Sequence, residues 1–96
     1  MVQKLSDDEV KNRLTTVPGW KLENGEITRT FECAGFPQAL MFVSGVGYLA
    51  EAAQHHPDIL IKWRTVKFSL VTHDANGISE KDFALAKQIN DLFAAK

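Results

Sequence analysis

The chain has 96 residues, of which 45% are hydrophobic and 24% charged, and its formal net charge is −1. This length fits a single domain, residues 1–96, and the composition is that of an ordinary globular protein. A near-neutral charge excludes attraction of nucleic acid or anionic lipid by bulk electrostatics. The acidic N-terminus and the lack of a long apolar run argue against a secretory signal and a membrane span, and the single cysteine, Cys33, excludes an internal disulfide. We therefore expect a cytoplasmic protein that binds neither nucleic acid nor membrane.

The first third of the chain predicts a short helix followed by a β-hairpin. Ser6 and Glu9 have the spacing of a capping box, which marks a helix start. In residues 20–33, apolar and polar residues alternate on both sides of Asn24-Gly25, a pair that is favoured in two-residue hairpin turns.

A long helix is predicted from about residue 37 to His55 or His56, because Pro57 disfavours helical geometry in the residue before it. Gly45 and Gly47 lower helix stability by roughly 1 kcal/mol each, so they suggest close approach to another backbone. The face expected to be buried carries apolar residues at helical spacing: Phe42, Val46, Leu49 and Ala53.

Two further strands and a last helix complete the chain. Residues 59–64 and 66–71 alternate in hydrophobicity, with Trp63 on the apolar side of the first of these strands. Ser79 and Asp82 form a second capping box, so the last helix begins at Ser79. Two hairpins separated by a helix most simply pair into one sheet. We therefore predict an α+β fold: a single four-stranded antiparallel sheet, with two long helices packed on one face and a short N-terminal helix.

The three histidines of the chain, His55, His56 and His73, carry the functional signal. Histidine titrates near neutral pH, at about 6.5 when unperturbed, so it donates and accepts protons under cellular conditions. Antiparallel pairing places the start of the third strand beside the end of the fourth, which brings His73 towards the other two histidines. Glu51 lies four residues before His55 on the same predicted helix face, where we expect it to orient that imidazole.

Two other interpretations of the histidines remain open. Adjacent histidines point in different directions, and a helical zinc motif needs a spacing of i and i+4, so the metal signal is weak and we expect no metal. Histidines at loop ends are also often ordinary surface residues. Convergence of all three through one hairpin favours a functional site.

At this point the sequence resembles a known family. "EAAQHHP" at residues 51–57, an aromatic at Trp63, "TH" at 72–73 and "SEKD" at 79–82 closely resemble the pterin-4a-carbinolamine dehydratases. "LSDDEV", "PGW" and the segment beginning "FPQALMF" extend the resemblance over essentially the whole chain. The resemblance implies the predicted fold. It also implies an enzyme that converts 4a-hydroxy-tetrahydropterin to quinonoid dihydropterin and water, without metal or organic cofactor, during recycling of the tetrahydropterin.

The resemblance implies that the three histidines surround the pterin. We expect His55 and His73 to perform most of the proton transfer, and His56 to bind the substrate and assist. The sequence leaves open which histidine is the acid and which the base.

Four further residues are expected to support the site by the same resemblance. Glu51 would support His55, and Pro57 would shape the pocket. Asp82 stands at an acidic position that the family keeps near the site, and it also fits the helix cap. Trp20 is expected to pack near the pterin ring, although tryptophan is more often a core or sheet-face residue.

The resemblance also implies partners. These are a small-molecule pterin substrate, a homodimer or homotetramer, and a functional link to an aromatic amino acid hydroxylase. The alternative function is a non-catalytic protein-binding or coactivator module on the same fold, because some animal relatives act as a dimerization cofactor for a homeodomain transcription factor. A third interpretation is a three-histidine metal protein. Retention of all three histidines together with Glu51 favours the enzyme.

Overall fold

The computed structural model describes residues 2–95, which form three helices and one antiparallel sheet of four strands. The strand order in the sheet is β1-β2-β4-β3, so the two hairpins meet through β2 and β4. This confirms the predicted α+β fold. In chain order the elements are α1 (Asp7–Leu14), β1 (Lys21–Glu23), β2 (Glu26–Glu32), α2 (Phe36–Ala53), β3 (Asp58–Lys62), β4 (Thr65–Leu70) and α3 (Glu80–Ala94).

Both capping boxes are confirmed. The Ser6 hydroxyl accepts the Glu9 N–H at 3.2 Å, and the Glu9 carboxylate accepts the Ser6 N–H at 2.9 Å. At the start of α3, the Asp82 carboxylate accepts the Ser79 N–H at 2.9 Å, and the Ser79 hydroxyl accepts the Lys81 N–H at 3.2 Å. Each box satisfies backbone N–H groups that a helix start leaves without intrahelical partners.

The two hairpins turn differently from each other. Asn24 and Gly25 both have positive φ angles, 53° and 79°, as a two-residue turn of this kind requires, so the first prediction is confirmed. The assignment of Trp63 to a strand is wrong. β3 ends at Lys62, and Trp63 lies in the turn with φ of 54° and a side chain that is 70% exposed.

The core lies between one face of the sheet and the helices. Alternate residues of β2 and β4 point inward, and in register Ile27 faces Leu70 while Phe31 faces Val66. Phe31 is central, because its ring packs against Phe42 of α2 with centroids 5.1 Å apart. Edge-to-face packing of this kind adds to the free energy gained by burying the rings.

The buried row of α2 differs from the prediction at one end. The buried residues follow one stripe along the helix, and Leu49 is only half-buried beside it. Ala53 is exposed, so its predicted burial is wrong. The helical period carries the stripe to the following residues: Ala39, Phe42, Val46 and Ala50.

The glycines of α2 do not approach another backbone, contrary to the prediction. A Cβ atom on Gly45 would lie 2.9 Å from Cδ2 of Leu92, so this glycine admits a side chain from α3. A Cβ atom on Gly47 would meet nothing within 4 Å. Of the two glycines of α2, only Gly45 therefore packs against another of the described residues.

The end of α2 sets the direction of the segment that follows. The helix ends at Ala53, and Gln54 adopts the left-handed conformation with φ of 53°. A left-handed residue after a helix turns the chain away from the helix axis. His55 therefore leaves the helix and points its side chain into the protein, where it is buried.

Candidate active site

A cleft of about 230 Å³ lies where the end of α2, the end of β4 and the start of α3 come together. The structure brings the three histidines to this one place, although β4 ends at Leu70 and His73 lies beyond it. The residues that line the cleft are mostly polar: Gln54, His55, His56, Val71, Thr72, His73, Asp74 and Lys81.

His55 is the histidine that is buried and bound to a buried carboxylate. Its Nε2 atom lies 2.5 Å from Oδ1 of Asp82, and the Asp82 side chain is fully buried while that of His55 is 10% exposed. An imidazole whose one nitrogen is bound to a carboxylate has a fixed orientation, and its other nitrogen is left for another partner. The start of α3 thus supplies the group that orients His55.

The second oxygen of Asp82 is held from the other side. Oδ2 accepts hydrogen bonds from the Thr72 hydroxyl and from the Ser79 backbone N–H, each at 2.9 Å. Asp82 is therefore both the capping-box residue of α3 and the partner of His55. The two roles that the sequence allowed for this residue are compatible, because each uses a different carboxylate oxygen.

His56 is paired with Glu51. Its Nε2 atom lies 2.9 Å from Oε1 of Glu51, and both side chains are largely exposed. The expectation that Glu51 orients His55 is therefore wrong. That expectation assumed that the helix continues to His55, but the helix ends at Ala53. Gln54 then turns the chain, so His56 and not His55 lies beside Glu51.

His73 occupies the first position of a 3₁₀ turn, His73–Ala75, and its side chain is exposed at the cleft. The turn belongs to a tight loop that is closed by backbone hydrogen bonds between Thr72 and Gly77. Asn76 completes the loop with φ of 58°. This loop places His73 on the rim of the cleft and returns the chain to Ser79.

Trp20 and Pro57 do not line the cleft. Trp20 is 5% exposed, its ring packs edge-to-face on Phe31, and its indole N–H donates to Asn90 Oδ1 at 2.8 Å. Trp20 precedes β1 and its ring is part of the core, which is the alternative that the sequence allowed, and its packing near the pterin ring stays a prediction. Pro57 is half-buried between His56 and the start of β3, and its expected influence on the pocket stays a prediction.

Known proteins resemble this chain over most of its length. Residues 3–92 match the family described as "Pterin 4 alpha carbinolamine dehydratase". The chain belongs to this family.

Curated relatives cover nearly the whole chain. A protein of Roseiflexus sp. (strain RS-1) is 51% identical over 92 residues, which is 96% of this chain and 99% of the relative. A protein of Chloroflexus aurantiacus is 53% identical over 89 residues, 93% of this chain and 96% of the relative. The names of both assign them provisionally to the pterin-4-alpha-carbinolamine dehydratases.

A solved structure has the same fold as this carbinolamine dehydratase family member. It is the crystal structure of a protein from Brucella Melitensis described as a transcriptional coactivator/pterin dehydratase. It superposes with a TM-score of 0.90 at 29% identity, covering 94% of this chain and 98% of the other.

A second cavity has no proton-transfer groups. A groove of about 300 Å³ between α2 and α3 is lined by apolar atoms and a single amide side chain, from Gln38, Met41, Phe42, Gly45, Leu92 and Ala95.

Within residues 2–95, no group of three or more His, Cys, Asp or Glu side chains is placed to hold a metal ion. In the same part of the chain, no helix has the length and apolar character needed to cross a bilayer.

The sequence reasoning missed Thr72 as a member of the site. A signal was present, since Thr72 continues the inward-facing parity of Val66, Phe68 and Leu70. A polar residue at an inward position of a strand needs a buried hydrogen-bond partner. Thr72 finds that partner in Asp82.

Proposed function

We propose that this protein dehydrates 4a-hydroxy-tetrahydropterin to quinonoid dihydropterin and water by histidine general acid–base catalysis, as a step in tetrahydropterin recycling. The observation that carries the proposal is the buried His55–Asp82 pair, which opens onto a cleft lined by the other two histidines. Membership of the carbinolamine dehydratase family supplies the substrate class.

The reaction needs one acid and one base and no redox step. The C4a–O bond breaks, and the oxygen leaves as water after it takes a proton from the acid. The ring nitrogen next to C4a loses its proton to the base, and its electron pair forms the C=N bond of the product. Each positioned acid or base of this kind typically contributes about 10²–10⁴-fold in rate.

His55 suits the base. Its contact with the Asp82 carboxylate stabilises the imidazolium that forms when the ring takes up a proton. His73, which is exposed and lines the cleft, is then the acid that protonates the leaving hydroxyl. After each turnover, the proton gained by His55 and the proton lost by His73 return through solvent.

His56 suits substrate binding. It lines the cleft, and its pairing with Glu51 limits the orientations of its ring while leaving it accessible to solvent. Since an exposed pair of this kind contributes little to stability, its main role is to orient the imidazole towards the pterin. Pro57 fixes the backbone geometry of His56 from the following position.

We further propose that the protein works as a homodimer or homotetramer in the cytoplasm, with an aromatic amino acid hydroxylase as the source of its substrate. Large apolar side chains exposed on α2 favour self-association, with Met41 73% and Tyr48 81% exposed. Light scattering of the purified protein at two concentrations tests the oligomeric state.

A second candidate function is a protein-binding or coactivator module. It is favoured by one observation, that the similar Brucella Melitensis protein is described as a transcriptional coactivator as well as a pterin dehydratase. The two functions are distinguished by activity, because a binding module has no need to accelerate dehydration.

The experiment is a dehydration assay with freshly generated 4a-hydroxy-tetrahydropterin, with and without protein, in the presence of a metal chelator. The expected result is a clear acceleration that the chelator does not diminish. Absence of acceleration by correctly folded protein would reject the enzyme and favour the binding module. Acceleration that disappears with the chelator would reject metal-free catalysis.

A further inference from the structure

The hydroxyl of Thr72 lies behind Asp82, on the side of the carboxylate that faces away from His55. Its Oγ1 atom is 2.9 Å from Asp82 Oδ2 and 2.6 Å from Ser79 Oγ, and all three side chains are buried. The dehydration chemistry makes no direct use of this hydroxyl. Its position indicates an indirect role, in which the hydroxyl acts on His55 through the Asp82 carboxylate.

The direction of each hydrogen bond in this cluster follows from the fact that each hydroxyl has a single hydrogen. The Lys81 N–H donates to Ser79 Oγ at 3.2 Å, and the Ser79 N–H donates to Asp82 Oδ2 at 2.9 Å. Thr72 donates its single hydroxyl hydrogen to Asp82 Oδ2, so the hydrogen between Thr72 Oγ1 and Ser79 Oγ comes from the Ser79 hydroxyl. The reverse order would leave the hydrogen of the buried Ser79 hydroxyl without an acceptor.

The tautomer of His55 follows from these hydrogen-bond directions. Oδ2 of Asp82 accepts two hydrogen bonds, from the Thr72 hydroxyl and from the Ser79 N–H. A carboxylate only accepts, so the hydrogen between Asp82 Oδ1 and His55 Nε2 belongs to Nε2. In the neutral ring, the unprotonated nitrogen is then Nδ1, and no described residue donates to it.

We propose that Thr72 is a positioning residue. Its hydroxyl, oriented by Ser79, holds Asp82 as an acceptor and thereby fixes neutral His55 as the Nε2–H tautomer. Nδ1 is the His55 nitrogen that exchanges a proton with the pterin. The role of Nδ1 rests on the proposed function, whereas the tautomer is a property of the protein alone.

The tautomer is read from the imidazole nitrogen resonances of ¹⁵N-histidine-labelled protein without substrate, in those spectra of a pH series that show the neutral ring. The expected spectrum for His55 has a protonated Nε2 and an unprotonated Nδ1. A His55 ring protonated on Nδ1 would overturn the proposal. Because no substrate is present, this result stands whichever way the dehydration assay falls.

The role of Thr72 is tested by a pair of substitutions. Thr72→Val keeps the shape and removes the hydroxyl, and Thr72→Ser keeps the hydroxyl. We expect Thr72→Val to lower kcat by roughly 10–10²-fold, with a much smaller change in KM and with some His55 in the other tautomer, because loss of the correct tautomer is costly in comparable dyads. Thr72→Ser should stay within about threefold of the wild type, since serine supplies the same donor and acceptor.

Thr65→Val is the matched control, because Thr65 lies on β4 and donates its hydroxyl to Glu32 on the neighbouring strand. It should leave kcat and the His55 spectrum unchanged. A folded Thr72→Val protein with wild-type kcat and an unchanged His55 spectrum would overturn the role of Thr72. If Thr72→Val does not fold, a Thr72→Ser protein with a mixed His55 tautomer overturns it equally.

Discussion

His55 and Asp82, 27 positions apart in the chain, are joined by a contact of 2.5 Å between Nε2 and Oδ1. Asp82 is at the same time the third residue of α3 and a member of its capping box. The start of α3 and the orientation of His55 therefore depend on a single carboxylate.

Asp82→Asn tests this dependence. An asparagine amide keeps the shape but offers both a donor and an acceptor, so it binds His55 in either tautomer and orients it less strictly. We expect kcat to fall by roughly 10²–10⁴-fold, as in other dyads that lose this carboxylate. Asp91→Asn is the control, because Asp91 is an exposed acid of α3 that pairs with Lys87. Equal activity of the two variants would remove Asp82 from the site.

The three histidines are expected to differ in importance. His55→Ala and His73→Ala each remove a proton-transfer group, so turnover should fall by roughly 10²-fold or more. His56→Ala should act mainly on KM and lower kcat by much less. Steady-state kinetics of the three variants provide the comparison, and equal losses of kcat would contradict this division of roles.

Glu51 provides a test of which histidine it serves. In the structure Glu51 contacts the exposed His56 and not the buried His55. We therefore expect Glu51→Gln to change kcat by less than about threefold, since an exposed pair makes a weak contribution. A loss as large as that of Asp82→Asn would mean that Glu51 acts on His55 in the working enzyme.

The two glycines of α2 should respond in opposite ways to a methyl group. Gly47→Ala places its Cβ atom in open space, so helix propensity should raise the free energy of unfolding by about 0.5–1 kcal/mol. Gly45→Ala brings a Cβ atom to 2.9 Å from Leu92, and that contact should cancel or reverse the gain. Denaturant unfolding of both variants gives the comparison. Destabilisation by Gly47→Ala would show that another chain packs on this face.

Much of the fold was accessible from the sequence because its signals are local. Capping boxes, the Asn24-Gly25 turn and strand alternation each depend on residues a few positions apart. Together they indicate one consistent set of helices and strands. Trp63 was misplaced because an apolar residue in strand parity can also stand in an exposed turn, where its positive φ is decided by the hairpin.

The site was harder to predict than the fold. Convergence of the histidines followed from strand pairing, which is a property of topology. The partner of each histidine did not, because the left-handed Gln54 decides which one turns inward. A left-handed glutamine leaves little trace in sequence, since non-glycine residues adopt that conformation only occasionally.

The central claim is that histidine acid–base chemistry in this cleft performs the dehydration. The most direct test is kcat/KM for 4a-hydroxy-tetrahydropterin in the double variant His55→Gln/His73→Gln, with folding verified by circular dichroism. We predict that the rate falls below roughly 1% of the wild-type value, because the acid and the base are both removed. A folded double variant that retains a rate within about twofold of the wild type would contradict the claim.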